Sequence, residues 1–213
     1  FQIRDKKYYY KRKHLALSEN FYIKVSKMIK KRKKKFGIAL DCLSIFDLLD
    51  KLNVDFIKII NDGLTNKKLV SSLVNKNFMK IYISTGVHNL NEIKKCLKNI
   101  PSKKLNKIEI VHTSLNTSIE SVNLRSISFL KSKLNLPIAY GSHCYNHKVL
   151  YTALAFQPSA LFFYVKGTKN MRYFDKKHSI VITKIKNLVL DLKKLSLSLG
   201  KYGKIKSSQT LIM

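Results

Sequence analysis

Five short apolar segments of this chain are each accompanied by polar residues whose types could hold an anion or act on a carbonyl group. Lys58 lies late in the first, Ser84-Thr85-Gly86 follows the second and His112-Thr113-Ser114 the third. Ser142-His143 and Lys166 follow the fourth and fifth. A lysine inside an apolar strand is seldom buried without a partner, so Lys58 reads as a cation for phosphate or carboxylate. Two hydroxyls and a glycine in a turn supply side-chain and backbone donors to the same kind of ligand. His143 carries an imidazole suited to metal ligation, whereas Cys144 beside it makes no nucleophile pair, because neighbouring side chains on extended backbone point apart. His143 and His147 are four apart, but a strand end and a helix start do not form one continuous helix face. His112 reads as a structural hydrogen-bonding residue.

The elements that position these residues alternate without a break. Apolar patterning predicts helices near residues 19–35, 44–52, 67–75, 91–97, 121–134, 147–156 and 180–199. Strands are predicted at 36–40, 56–60, 79–83, 107–111, 137–140 and 160–165. The strands are short and mostly apolar, as parallel strands covered on both faces are, and strict alternation implies right-handed crossovers. An open doubly wound sheet and a closed (β/α)8 barrel both alternate in this way. No glycine-rich phosphate fingerprint follows the earliest strand, and polar groups gather after several strands, where a barrel places its site. The fold class is therefore α/β, of the (β/α)8 TIM-barrel type.

The 213 residues, 45% hydrophobic, suffice for one core, and one domain is the working count. The formal net charge of +30 is diffuse over helix surfaces. Its one dense run, Lys30 to Lys35, reads as a solvated helix end, and Tyr8-Tyr9-Tyr10 beside Lys11-Arg12-Lys13 as loop or dimer packing. No nucleic-acid motif accompanies either, so a nucleic-acid partner is not expected. The chain has no run of eighteen apolar residues and no signal-peptide pattern, so no membrane partner is expected and a cytoplasmic location is. Three cysteines without a CxxC pair fit a reducing compartment.

In order along the chain, several motifs resemble those of the sialic acid synthase family, which includes N-acetylneuraminate, legionaminate and pseudaminate synthases. Phe1-Gln2 resembles the end of a Lys-Phe-Gln strand, and Leu15-Ala16-Leu17-Ser18 a Leu-x-Leu-Ser lead into a helix. Ile57-Lys58-Ile59 with Leu64-Thr65-Asn66 resembles Tyr-Lys-Ile-Ala-Ser-Gly-Asp-Ile-Thr-Asn. Ile83-Ser84-Thr85-Gly86 with Leu90-Asn91-Glu92-Ile93 resembles Leu-Ser-Thr-Gly-Met and its helix. Val111-His112-Thr113, Val122 to Ile127, and Pro137 to His143 resemble Leu-His-Cys, Val-Asn-Leu-Arg-Ala-Ile and Val-Gly-Tyr-Ser-Asp-His.

The resemblance implies condensation of phosphoenolpyruvate with an N-acetylated amino sugar, giving a nine-carbon 2-keto acid and phosphate, with a divalent metal (Mn or Mg) polarising the sugar aldehyde. It implies Lys58, Ser84, Thr85 and Gly86 as contacts to phosphoenolpyruvate, Gln2 as a contact to the sugar, His143 as a metal ligand and catalytic residue, and Asp175 as a catalytic carboxylate acting on the sugar hydroxyls. A homodimer is a further implied possibility. The chain departs from the family where the chemistry lies. The second metal-binding histidine is replaced by Tyr164, the serine and aspartate before His143 by Gly141 and Ser142, and the histidine after Asp175 by Lys176. The sugar loop has shrunk to Leu115-Asn116-Thr117-Ser118. The barrel is expected to be incomplete at the N-terminus, lacking the first strand and most of the second. Residues 1–199 then form the barrel domain, and 200–213 the start of a linker to an antifreeze-like domain that is absent. The start at Phe1 suggests a longer gene product. The alternative reading is a catalytically decayed barrel that keeps an anion site or binds a partner, and a basic nucleic-acid binder is the third.

Overall fold

The structure is a computed structural model, which describes residues 17–43, 46–168 and 175–200, with the backbone alone at Asn61. Gln2, Leu15-Ala16, the tyrosine cluster and the linker from 201 onward lie outside the described residues. The first helix, α1 (Glu19–Lys31), begins where the Ser18 side chain accepts from the Phe21 N–H. It leads to β1 (Gly37–Leu40), α2 (Phe46–Lys51) and β2 (Phe56–Ile59). A 3-10 turn, Asn61–Thr65, precedes α3 (Lys67–Asn75), which is capped by Asn66 accepting from the Leu69 N–H. Then follow β3 (Lys80–Ser84) and α4 (Leu90–Lys98), the latter opened by a capping box between Asn89 and Glu92. The remainder is β4 (Ile108–Thr113), α5 (Arg125–Leu134), β5 (Ile138–Gly141), α6 (Val149–Leu154), β6 (Leu161–Phe162), β7 (Tyr164–Lys166), β8 (Ser179–Val181) and α7 (Ile182–Leu197).

Strands β1 to β6 form one parallel sheet in simple sequential order. A doubly wound sheet reverses its order at a switch point, and this one does not. The sheet also curls. Three strand spacings separate β3 from β6, about 14 Å if the sheet were flat. Yet the rings of Tyr82 and Phe162 lie 4.9 Å apart, and Lys58 of β2 places its ammonium 4.6 Å from the Phe162 ring. Only an arc bent toward a barrel interior brings these strands together, so the barrel-type α/β expectation holds.

The strand faces divide by period two. Ile57, Ile59, Ile81, Ile83, Ile108, Ile110 and Ile138 have no solvent exposure and belong to the same apolar core as Leu69, Leu73, Ile93, Ile127 and Leu150 of the helices. The opposite face carries Lys58, Tyr82 and Glu109, which lie side by side in the register. Near the N-terminal ends of the strands, Glu109 is buried between the Lys80 ammonium at 2.9 Å and the Ser159 hydroxyl at 2.6 Å, so that charge is paired and hydrogen-bonded.

Several boundaries correct the sequence expectation. The strand expected at 160–165 is two strands, because the chain leaves β5 after Phe162 and pairs β7 with β8 instead. The closing helix starts at Ile182 and not 180, since Ser179-Ile180-Val181 is that partner strand. A β-branched run continuous with a helical pattern does not reveal its own boundary. The helix expected at 19–35 ends at Lys31, so the basic run straddles a helix C-terminus, where cations are favoured. Cys42, Cys96 and Cys144 are buried. No helix of the described residues is long and apolar enough to cross a membrane.

Ile110 sits wholly inside this core, so Ile110→Ala should cost about 2–5 kcal/mol of unfolding free energy in urea titration. Met79→Ala, at a half-exposed position, should change it by under about 0.5 kcal/mol.

Candidate functional site

The polar residues at the C-terminal strand ends converge on the concave face. Lys58 projects there with Val111, Thr113 and Gly141: a Cβ on Gly141 would lie 3.2 Å from Val111 Cγ1, 3.5 Å from Lys58 Nζ and 3.5 Å from Thr113 Cβ. A side chain at 141 would press on Val111 and come into ordinary contact with the ammonium. Among the described residues no carboxylate forms an ion pair with Lys58, whose ammonium stands over the Phe162 ring. Burial lowers its pKa to about 8, because desolvation disfavours the charged form. Near neutral pH the site thus holds a half-buried cation without a carboxylate partner among the described residues.

Ser84, Thr85 and Gly86 close β3, but they divide their work. The Thr85 N–H donates to the Val111 carbonyl at 3.0 Å, and its hydroxyl accepts from the Thr113 N–H at 3.3 Å. Thr85 is thereby committed to joining β3 to β4. Ser84 is buried on the concave side, opposite Val111 in the register. Gly86 adopts φ +54° with open space where a Cβ would be, so backbone conformation and not crowding calls for glycine.

His143 is the centre of a second group. Its Nδ1 lies 2.9 Å from the Thr113 hydroxyl and its Nε2 3.0 Å from the Tyr164 hydroxyl. Burial, then the positive charges of His178 and Lys58, push its pKa down to about 4, so the ring is neutral at pH 7. Burial, and after it the Asp175 carboxylate, raises the Tyr164 pKa and keeps it a phenol. The result is a hydroxyl–imidazole–hydroxyl chain in which one hydroxyl donates to the ring and the other accepts from it.

Sequence reasoning missed His178. The pairing of Tyr164 with Ser179 places His178 beside Tyr164, ring centroids 4.6 Å apart and nearly perpendicular, and 5.1 Å from the His143 ring. Its Nε2 is buried without a hydrogen-bond partner, and Asp175 Oδ1 stands 3.7 Å away. The only signal in the sequence was a histidine three residues after Asp175, which is uninformative until β8 is known. Asp175 sits at the rim with its side chain half exposed, and its carbonyl accepts from the Ser179 N–H and hydroxyl. Lys166 donates to the Lys176 carbonyl and so ties the same turn.

Two other histidines stay outside the group. His112 faces the helix layer, stacked on Tyr140, with its Nε2 2.9 Å from the Val122 carbonyl. His147 lies in the turn before α6, so it shares no helix with His143.

A divalent metal does not fit this donor set. Both His143 nitrogens are engaged by hydroxyls, and the nearest cation is an ammonium. No group of three or more His, Cys, Asp or Glu among the described residues is arranged to hold an ion. A neutral phenol is also a weak partner for Mn or Mg.

Comparison with known proteins identifies the lineage. An uncharacterized protein of Methanocaldococcus jannaschii, MJ1065, is 32% identical over 150 residues, 67% of this chain and 43% of that protein. The N,N'-diacetyllegionaminic acid synthase of Campylobacter jejuni is 28% identical over 163 residues, 74% of this chain and 48% of the enzyme. The chain thus spans less than half the length of these two relatives. The crystal structure of the N-acetylneuraminic acid (sialic acid) synthetase of Leptospira borgpetersenii, in complex with citrate, superposes with a TM-score of 0.83 at 18% identity, over 90% of this chain and 67% of that one. That likeness shows a shared fold. The family model described as NeuB family matches residues 2–204, and with a parallel barrel arc carrying its polar residues at the strand ends, this chain belongs to the NeuB family.

Proposed function

We propose that this barrel is the substrate-binding part of a nonulosonic (sialic) acid synthase and takes phosphoenolpyruvate at Lys58. The observation that carries the reading is the Lys58 ammonium, half-buried and without a carboxylate partner among the described residues, on the same concave face as Ser84. An anion with a phosphate and a carboxylate supplies the missing charge, and the Ser84 hydroxyl and the backbone of the turn add donors. Thr85 keeps its place in the reading as the residue that holds Ser84 and Gly86 against β4. The names of two similar proteins, a legionaminic acid synthase and a neuraminic acid synthetase, support an N-acetylated amino sugar as the second substrate.

In the condensation, the methylene carbon (C3) of phosphoenolpyruvate forms the new bond to the sugar's aldehyde carbon, and the carbonyl electron pair moves to oxygen, which takes a proton. Water then adds, with loss of a proton, to the phosphate-bearing carbon (C2) left electron-poor by that step, and the C2–O bond to phosphate breaks to leave a 2-keto acid and inorganic phosphate. Lys58 binds and orients the anion, and Asp175, at the rim, accepts from sugar hydroxyls. His143 is a neutral link between Thr113 and Tyr164. Residues 1–199 are proposed as the barrel domain. A second reading, an anion-binding barrel without turnover, is favoured by the bond that Tyr164 makes to His143 in place of a metal ligand.

Isothermal titration of phosphoenolpyruvate into the purified protein at moderate salt should show one site. Lys58→Ala should weaken it at least about tenfold, since a buried charge-assisted bond contributes roughly 1.5–3 kcal/mol. Absence of binding, or binding indifferent to Lys58, would remove the anion site. Turnover with a panel of amino sugars then separates the two readings: a keto-acid product establishes the synthase, and none establishes the anion-binding barrel.

The ligand meets the protonated amine, so affinity should be full below pH 8 and fall as the pH rises through about 8. A thermal-shift series with inorganic phosphate from pH 6.5 to 9.5 measures this, and Lys58→Met should flatten it.

A further inference from the structure

We propose that the Tyr164 hydroxyl closes this site to divalent metal ions by standing on the coordinating nitrogen of His143, so that the site works, or binds, without a metal. The inference goes beyond the loss of one ligand. A missing ligand leaves a weakened site, in which His143 still offers a lone pair and solvent or substrate completes the shell. Here the Nε2 that would be offered is 3.0 Å from the phenol oxygen, and the opposite nitrogen is 2.9 Å from the Thr113 hydroxyl. A metal–imidazole bond is about 2.0–2.1 Å long for zinc, so an ion on Nε2 would lie inside the space the phenol oxygen fills.

The surroundings reinforce this. Tyr164 is packed edge-on against His178, which is itself buried, and β7 is paired to β8 on that side, so the phenol cannot turn away without displacing a ring. Lys58 adds an ammonium whose charge is felt at His143, a like charge to any incoming cation. The one countervailing feature is the unpartnered Nε2 of His178, near Asp175. A second imidazole and a carboxylate thus stand within one side-chain length of His143, and Tyr164 is what separates them from a shared ion. Replacing the phenol with an imidazole should therefore do more than restore a ligand: it should open a site already flanked by His143, His178 and Asp175.

Cobalt(II) and manganese(II) are the probes, read by titration calorimetry and, for cobalt, by the visible absorption that imidazole ligation produces. The wild-type protein should bind neither stoichiometrically, with or without phosphoenolpyruvate, and its affinity for phosphoenolpyruvate should be the same in manganese and in EDTA. Tyr164→His should gain one cobalt site, at least about tenfold tighter than any residual wild-type binding, and Tyr164→His with His143→Gln should lose it.

Stoichiometric binding to the wild type that weakens in His178→Ala or His143→Gln would overturn the proposal, because the two histidines would then hold an ion despite the phenol. A folded Tyr164→His protein that gains no site would also overturn it. If Tyr164→His does not fold, as judged by circular dichroism, the wild-type titrations decide alone: one metal per chain overturns the proposal, and none supports it. These results stand apart from the phosphoenolpyruvate reading, which fails on loss of anion binding and not on the behaviour of metals.

Discussion

The Phe162 ring in β6 lies against Tyr82 of β3 and beneath the ammonium of Lys58 in β2, and that contact requires the parallel sheet to curl. Everything at the site depends on this curvature. In a flat sheet Lys58 and Phe162 would be about four strand spacings apart, some 19 Å, and would not meet. The curl follows from simple sequential pairing, each strand twisted against the last, with helices covering only the outer face. Isoleucine on the outer face provides the adhesion: Ile57, Ile59, Ile81, Ile83, Ile108 and Ile110 are all fully buried against the helices.

Within the concave face, two electrostatic environments lie side by side. Around Lys58 the described residues leave a cation without a counter-charge. Around His143 lie two hydroxyls and a second imidazole, and burial, with nearby positive charge after it, keeps His143 unprotonated. The first environment suits an anion and the second suits hydroxyl or carbonyl oxygens. That division is set by which residues are charged and not by the number of polar groups.

The dense basic run is engaged at the C-terminal end of α1. The run from Lys30 to Lys35 lies at the end of α1, where Lys30 pairs with Asp55, which also accepts from the Phe36 N–H. One carboxylate there joins the helix end to the start of β1. The remaining lysines of the run are exposed.

The alternation of elements, their parallel pairing and the identity of Lys58 and the turn at Ser84 to Gly86 were legible in the residues alone. Local patterns carry that information: apolar runs of strand length, amphipathic helices, and polar residues after each strand. The replacement of a histidine by Tyr164 was legible too. What only the tertiary structure decided is the company each residue keeps. The Thr85 hydroxyl accepts from the Thr113 N–H and the Tyr164 hydroxyl stands on His143, contacts that no spacing in the sequence announces. His178 drew no notice, because a histidine at a strand start acquires meaning only when β8 pairs with β7 and sets it against Tyr164. Sequence patterns report which face of an element a side chain takes, whereas contacts between strands distant in the chain depend on sheet curvature and on register, which no local period encodes.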